Sequence, residues 1–200
     1  MRPALLACLL LLPGQGLLAQ KAAADEPLGG GQRLTHAEWS AMPTPEGVSF
    51  ATGVIGYSSQ YSDKGWAAAD AVGFPNVYPR FGDLTGTWAP ARTSSARDVL
   101  SLSFNGARTR EFWIFETFGV GGLYEVYDIS DGTPVLLWRG VPGPAASSAR
   151  VLRITLAEAR EIRGLQLVVS PSSVGAYPEI DAVAIVPTLA GPLLGGGGKK

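Results

Sequence analysis

The chain has 200 residues, 46% of them hydrophobic and only 16% charged, with a formal net charge of −1. That length suits one domain plus flanks, and the apolar content is enough for a sizeable core. The charge balance lacks the basic footprint of a nucleic-acid binder, and 15 Pro with 26 Gly scattered along the chain favour many short elements over a few long helices.

The first predicted element is a leader. Arg2 gives a short positive region, Ala4 to Leu12 are continuously apolar, and Pro13, Gly14 and Ala19 follow. This is the layout of a secretory signal peptide over residues 1–19, cleaved after Ala19, and it is too short to cross a bilayer comfortably. An N-terminal anchor is the alternative, and LeuLeuAlaCys at 5–8 mimics a lipoprotein box. Cys8 is the only cysteine and lies inside the leader. The mature chain is therefore expected to be secreted or periplasmic and to fold without disulfides, with cysteine catalysis and thiolate metal sites excluded. No later apolar run has the length of a transmembrane helix.

Residues 20–47 read as a flexible lead-in, because LeuGlyGlyGlyGln at 28–32 offers no side-chain pattern for regular structure. One short helix is predicted near Thr35 to Met42, with Thr35 as cap and Glu38 three residues on. Short β-type runs then follow at 47–57, 99–104, 111–118, 123–129, 134–139, 151–156, 165–170 and 180–186. Leu100, Leu102 and Phe104 share one face while Ser101 and Ser103 share the other, and Leu152, Ile154 and Leu156 repeat the pattern. The run at 111–118 is apolar on both faces. SerAspGlyThr at 130–133 signals a hairpin. AlaGluAlaArgGluIleArg at 157–163 is the one helical rival. Period-two patterning in about eight short runs separated by turns predicts an all-β, antiparallel jelly-roll sandwich with short helical turns. Its first and last strands are both apolar and are expected to pair, bringing the domain's ends together. Residues 188–200 read as a Gly-rich tail.

Catalytic signals are weak. His36 is the only histidine and sits in the lead-in, without the orienting carboxylate that a catalytic triad needs. HExxH, GxSxG and phosphate-loop motifs are absent from the sequence. Glu116 and Glu179 are the best pair for glycoside hydrolysis, but nothing in the sequence sets their separation. The chain is therefore read as a non-enzyme. Glu116 stands in a nearly apolar run, so it needs a partner, Arg80 or another arginine, or else a ligand.

The loop region carries more information. Ser58–Tyr61, Ala68–Asp83, Trp88, Phe115–Phe118 and Glu179–Val183 occur in a fixed order. Together they resemble the discoidin-like domains of the galactose-binding-like superfamily, which includes the coagulation factor V/VIII type C modules and many bacterial carbohydrate-binding modules. The match is to a variant with SSxY, AxxAxGxPxxYPxxGD, a Trp, a YETY-like strand and a C-terminal EIDAV strand. That variant occurs in secreted bacterial proteins and in an F-box, leucine-rich-repeat protein. The resemblance spans roughly residues 48–187. It implies one structural calcium held by Asn76, Asp83 or Thr87, and Glu179, with carbonyls near Val72, a hard-oxygen set of the kind calcium takes. Asn76 departs from the Asp of close relatives and removes a charge. The alternative is that Asn76 and Glu179 only tie the loop to the last strand by hydrogen bonds.

The resemblance also implies a non-catalytic module that recognises a carbohydrate or cell-envelope polymer through loops at one end of the sandwich. Tyr61, Trp66, Tyr78 and Arg80 are the ligand-binding candidates, with Trp88 in the core and Phe74 and Phe81 plugging the sandwich end. The alternative is a protein-interaction or scaffold module without a small ligand. In either case the chain is expected to act as a monomer.

Overall fold

The computed structural model describes residues 27–143 and 146–188. The leader with Cys8, the start of the lead-in and the 189–200 tail lie outside the described residues. Eight strands follow one another: β1 Gly29–Leu34, β2 Ser49–Phe50, β3 Gly53–Tyr57, β4 Asp98–Phe118, β5 Leu123–Asp128, β6 Val135–Arg139, β7 Arg150–Val169 and β8 Glu179–Pro187. Helix α1 spans His36–Ser40 and helix α2 Pro171–Val174, and a single 3-10 turn covers Ala68–Ala71.

All pairings are antiparallel. Strands β4 and β7 are long and pair along nearly their whole length, from Asp98↔Val169 to Glu116↔Arg150. Their register shifts between Ser103 and Ala107 and again between Thr109 and Glu111. Irregularities of this kind let strands turn a corner from one sheet to the next. One sheet runs β3-β4-β7-β5-β6 through the first half of β4, and the other runs β1-β7-β4-β8-β2 through its second half. The result is an all-β sandwich whose two layers share their longest strands.

The alternation in the sequence explains the core. Leu100, Leu102, Leu165 and Leu167 of the first sheet bury against Phe112, Ile114, Leu152, Ile154, Val183 and Ile185 of the second. The run at 111–118 has a second apolar face because that face is covered too. Trp113 and Phe115 point the other way and pack in a separate cluster with Tyr78, Val151 and Ala184, roofed by Trp39 and Met42. Trp39 of α1 meets Tyr78, Trp113 and Phe115 edge-on at 5.8, 5.7 and 5.4 Å. The helix is placed by the expected capping box: Glu38 N–H donates to Thr35 Oγ1 at 3.2 Å and Thr35 N–H to Glu38 Oε2 at 2.7 Å.

The first and last sandwich strands pair as expected, through Ser49↔Ile185 and Phe50↔Ala184. The hairpin at 130–133 joins β5 to β6, with Gly132 at φ +80°. Two expectations need correction. Ala157–Arg163 is not helical: it lies within β7 and pairs with Ala107–Thr109 of β4, so non-local pairing overrides the local helical composition. The glycine run at 29–31 is not an irregular lead-in either. It is the start of β1, in register from Gly29↔Leu156 to Leu34↔Val151. A Cβ on Gly31 would come within 2.2 Å of Trp138 Nε1, so the missing side chain is what lets the indole lie against the strand.

Candidate functional site

Strand β3 ends and β4 begins at the same end of the first sheet, with Ser58 N–H donating to the Val99 carbonyl at 3.0 Å. The long segment 58–97 is therefore a loop thrown out from that end. Loops 119–122 and 170–178 converge there as well, Ser170 N–H bonding the Gly122 carbonyl at 2.8 Å and Ser172 N–H that of Ser95 at 2.9 Å. The paired serines of the SSxY motif fasten the root of the long loop. Both hydroxyls donate to Asp98 Oδ1, Ser58 at 2.7 Å and Ser59 at 2.6 Å. Val99 and Ala91 N–H groups return bonds to those hydroxyls at 2.9 and 3.0 Å. Trp88 is fully buried, bridges to Ile180, and donates its indole N–H to the Ser59 carbonyl at 3.1 Å.

The middle of the loop is clasped by the last strand, but through Asp181. Its carboxylate accepts backbone N–H bonds from Asn76 (3.1 Å), Val77 (3.1 Å) and Tyr78 (2.7 Å). Burial pushes the Asp181 carboxyl above the usual range, against the three donors and Arg80, which pull it down. The Asn76 side chain is exposed and lies against Gly86, where an added Cβ would be 2.7 Å from its Oδ1. Asn76 thus joins the last strand by its backbone.

Two residues earlier in β8, Glu179 is completely buried. Oε2 accepts from the Thr87 hydroxyl at 3.0 Å and weakly from Leu84 N–H at 3.5 Å. Oε1 has no hydrogen-bond partner among the described residues. Burial, reinforced by the neighbouring Asp83 carboxyl and opposed by the Thr87 and Leu84 bonds, pushes the Glu179 acid up to about 8. A buried carboxylate with one orphan oxygen, beside a second carboxyl and a threonine hydroxyl, is a donor set that suits a hard cation. Asp83, Thr87 and Glu179 come together, and Asn76 stands at the exposed edge of the group with its Oδ1 beside Gly86, the residue before Thr87.

The recognition candidates separate. Tyr61 is 52% exposed and meets Trp66 at 5.5 Å and Tyr177 at 5.2 Å, both edge-on. Tyr78 does not belong to this surface. It is 9% exposed, packed between Trp39, His36 and Phe115 beneath α1. Arg80 is exposed but folds back on its own loop, donating to the Val77 and Asn76 carbonyls at 3.3 Å each. Phe74 and Phe81 are not plugs: Phe74 is 77% exposed against Phe50, and Phe81 is 40% exposed against Phe118. Glu116 is paired, and its partner is Arg33 of β1. Arg33 Nε donates to Glu116 Oε2 at 2.7 Å and its Nη2 to the Leu123 carbonyl at 2.6 Å. His36 is exposed at the start of α1, near the Ser40 hydroxyl at 3.3 Å.

Asp181, Tyr177 and Asp98 were not singled out in the sequence. Asp181 had a signal, a lone acid in the apolar run IleAspAlaValAlaIleVal, where a buried carboxylate must find donors. Tyr177 and Asp98 had none, because their partners are more than thirty residues away in the chain.

No protein-family model matches the sequence, and no curated protein matches it. Solved structures do. XRCC1, in a structure of the reduced protein bound to the catalytic domain of DNA polymerase β, superposes with a TM-score of 0.53 at 13% identity, over 70% of this chain and 99% of that one. The family 32 carbohydrate-binding module of Clostridium perfringens NanJ, solved with galactose, gives 0.50 at 14% identity, over 78% and 98%. A Clostridium perfringens ZmpB structure with two such modules and an M60 catalytic domain gives 0.52 at 10% identity, over 79% of this chain and 17% of the longer one. The protein thus has the discoidin-like, galactose-binding-like fold.

Proposed function

We propose that this protein is a secreted, non-catalytic binding module that recognises a carbohydrate or cell-envelope polymer through the loop end of its sandwich. The observation that carries this reading is the aromatic group at that end, with half-exposed Tyr61 set edge-on to Trp66 and Tyr177. Aromatic surface presented beside polar loops suits the apolar faces of sugar rings, with convergent hydrogen bonds fixing orientation. The NanJ module, solved with galactose, has the same fold, which supports the reading. The chain acts as a monomer and does not take nucleic acid; among the described residues no helix is long and apolar enough to cross a bilayer. The test is a glycan array probed with wild type, Tyr61→Ala and Trp66→Ala. Saccharide binding that falls ~10-fold or more in both variants supports the reading. Absence of binding to any saccharide, with and without calcium, overturns it.

Asp83, Thr87 and Glu179 would hold one structural calcium ion, with backbone carbonyls of the same loop completing the shell. When bound, it supplies the positive charge that the crowded, buried Glu179 carboxylate lacks. The role is to fasten the loop onto β8 rather than to touch the ligand.

One observation favours a second reading, a protein-interaction module. Phe74 is 77% exposed and stands on Phe50 at 4.6 Å, an apolar projection of the kind a protein partner covers. XRCC1, whose structure is of a complex with a polymerase domain, has the same fold.

A further inference from the structure

Strand β3 has one edge without a strand beside it. It pairs with β4 along one side, from Gly53↔Ser103 to Tyr57↔Leu100. Among the described residues, no backbone group of Gly53–Tyr57 bonds to anything on the other side. A free strand edge is a row of N–H and C=O groups spaced to pair with another extended chain, and proteins blunt such edges with charges or proline. The stretch ThrGlyValIleGlyTyrSer at 52–58 carries neither. Its one guard is a bulge, where the register shifts between Val54 and Gly56.

The bulge also sets where the side chains go. Val54 stands opposite Leu102 and Tyr57 opposite Leu100, both core leucines, so Val54 and Tyr57 share the inner side of the edge. Ile55 is the extra residue and lies on the outer side, where its Cδ1 would be 3.2 Å from a Cβ on Gly164. On the inner side, the 3-10 turn Ala68–Ala71 packs beside both β3 and β8. A groove of about 240 Å3 separates Val54 and Tyr57 on the strand from residues 67–69 on the turn, all alanine. Gln60 and Asp63 complete its lining, and Asp63 is the only charged residue there. Asp63 is exposed, and its Oδ1 accepts from Gln60 Nε2. Gln60 Oε1 accepts in turn from Ala68 N–H at 2.9 Å, which holds the carboxylate beside the turn.

We propose that this edge and groove bind a short extended peptide of a protein partner, which joins the first sheet as a strand beside β3. The unpaired ladder selects extended backbone. Alternate side chains of such a strand point to opposite faces, so one set enters the groove and the other lies beside Ile55. The three alanines leave room for a small apolar side chain, and Asp63 favours a lysine or arginine next to it. A second copy of β3 fits worse. It brings no basic residue to Asp63, and two bulged edges twist away from the long flat pairing that identical strands need. The groove shares no residue with the Tyr61, Trp66 and Tyr177 group or with Phe74, so this surface goes beyond both readings above and depends on neither.

The test uses the full-length chain and three fluorescein-labelled octapeptides of alternating valine and threonine around a central alanine, ending in lysine, serine or glutamate at both ends. Fluorescence anisotropy reads their binding. The lysine peptide is expected to bind wild type roughly 5-fold more tightly than the glutamate peptide, and Asp63→Lys to reverse that order. Ala69→Phe fills the groove and is expected to weaken the lysine peptide ~10-fold or more. Both substituted residues are exposed, so an unchanged melting temperature is expected and checked. On wild type, N-methylation of alternate residues along one edge of the lysine peptide is expected to abolish binding, and along the other edge to leave it nearly intact. Binding that survives methylation of either edge would reduce the site to a charged patch and overturn the strand pairing. Dimerisation of wild type in sedimentation that is lost in Ala69→Phe would make the occupant a second copy and overturn the peptide. Failure of all three peptides on wild type overturns the proposal outright. Saccharide binding by Ala69→Phe on the glycan array reads the carbohydrate proposal separately, since that residue lies outside the aromatic group.

Discussion

At the residue scale, the buried carboxylates divide by how their charge is met. Asp181 is met by three backbone donors, Asp98 by two hydroxyls, and Glu116 by a guanidinium. Glu116 makes the sharpest prediction, because Glu116 is 2% exposed and Arg33 supplies its only charged partner among the described residues. Arg33 also lies over the Trp138 ring at 5.6 Å, so removing it costs packing as well as charge. Arg33→Met is expected to destabilise by about 3 kcal/mol, since it leaves a buried carboxylate uncompensated. Arg33→Met with Glu116→Leu is expected to recover much of that loss. Urea denaturation of the two variants checks it, and equal losses would show that the pair is not where the cost lies. The need for a partner was legible in the apolar run around Glu116. The identity of that partner was not, because Arg33 stands in a segment whose strand character depends on contacts far along the chain.

At the element scale, what the sequence showed were the strands whose own side chains alternate. Those whose side chains carry no pattern were hidden. Leu100 to Phe104 and Leu152 to Leu156 announce a buried face within a few residues. The glycine run of β1 announces nothing, because its reason is Trp138, which needs bare backbone to lie against. Likewise Ala157–Arg163 became strand only through β4, and the merging of paired short runs into β4 and β7 needed the corner irregularities between them. In the loop, the SSxY and EIDAV pieces are the ones that tether the long segment, through Ser58 and Ser59 at its root and Asp181 at its middle. Burial then sorted the aromatics, sending Tyr78 under α1 and leaving Phe74 outside, which depends on where a five-residue helix docks. The prediction at this scale concerns β1. Gly31→Val places branched carbon where the Trp138 indole sits, and the strand can keep its register only by expelling that ring. Faster amide exchange across residues 29–34 and 150–156 is expected, with the β3 amides unchanged. Uniformly faster exchange would instead mean that β1 is integral to the whole fold rather than an added edge.

At the scale of the whole molecule, the loop end is held to the sandwich by β8, and β8 brings two buried acids within three residues. Burial, with Asp83 beside it, raises the Glu179 acid from 4.5 to about 8, and burial raises Asp181 in the same direction. An acid raised in the folded state favours folding while it is protonated. For Glu179 that contribution is complete below about pH 4.5 and is lost as pH climbs through 8. Calcium has the opposite preference, because it binds the ionised carboxylate and only in the folded chain. In chelator, the melting temperature of the wild type is therefore expected to fall between pH 5 and pH 8. Calcium at about a hundred times its dissociation constant is expected to restore roughly 5–10 °C at pH 8 and much less at pH 5. Glu179→Gln removes both the ionisation and the ligand charge, so its melting temperature should vary less across that range and ignore calcium. Differential scanning calorimetry of the two proteins at both pH values decides the matter. A wild type indifferent to chelator at pH 8, or a Glu179→Gln variant that still responds to calcium, would remove the ion from this site and leave Thr87 and Leu84 as the whole of the clasp on Glu179.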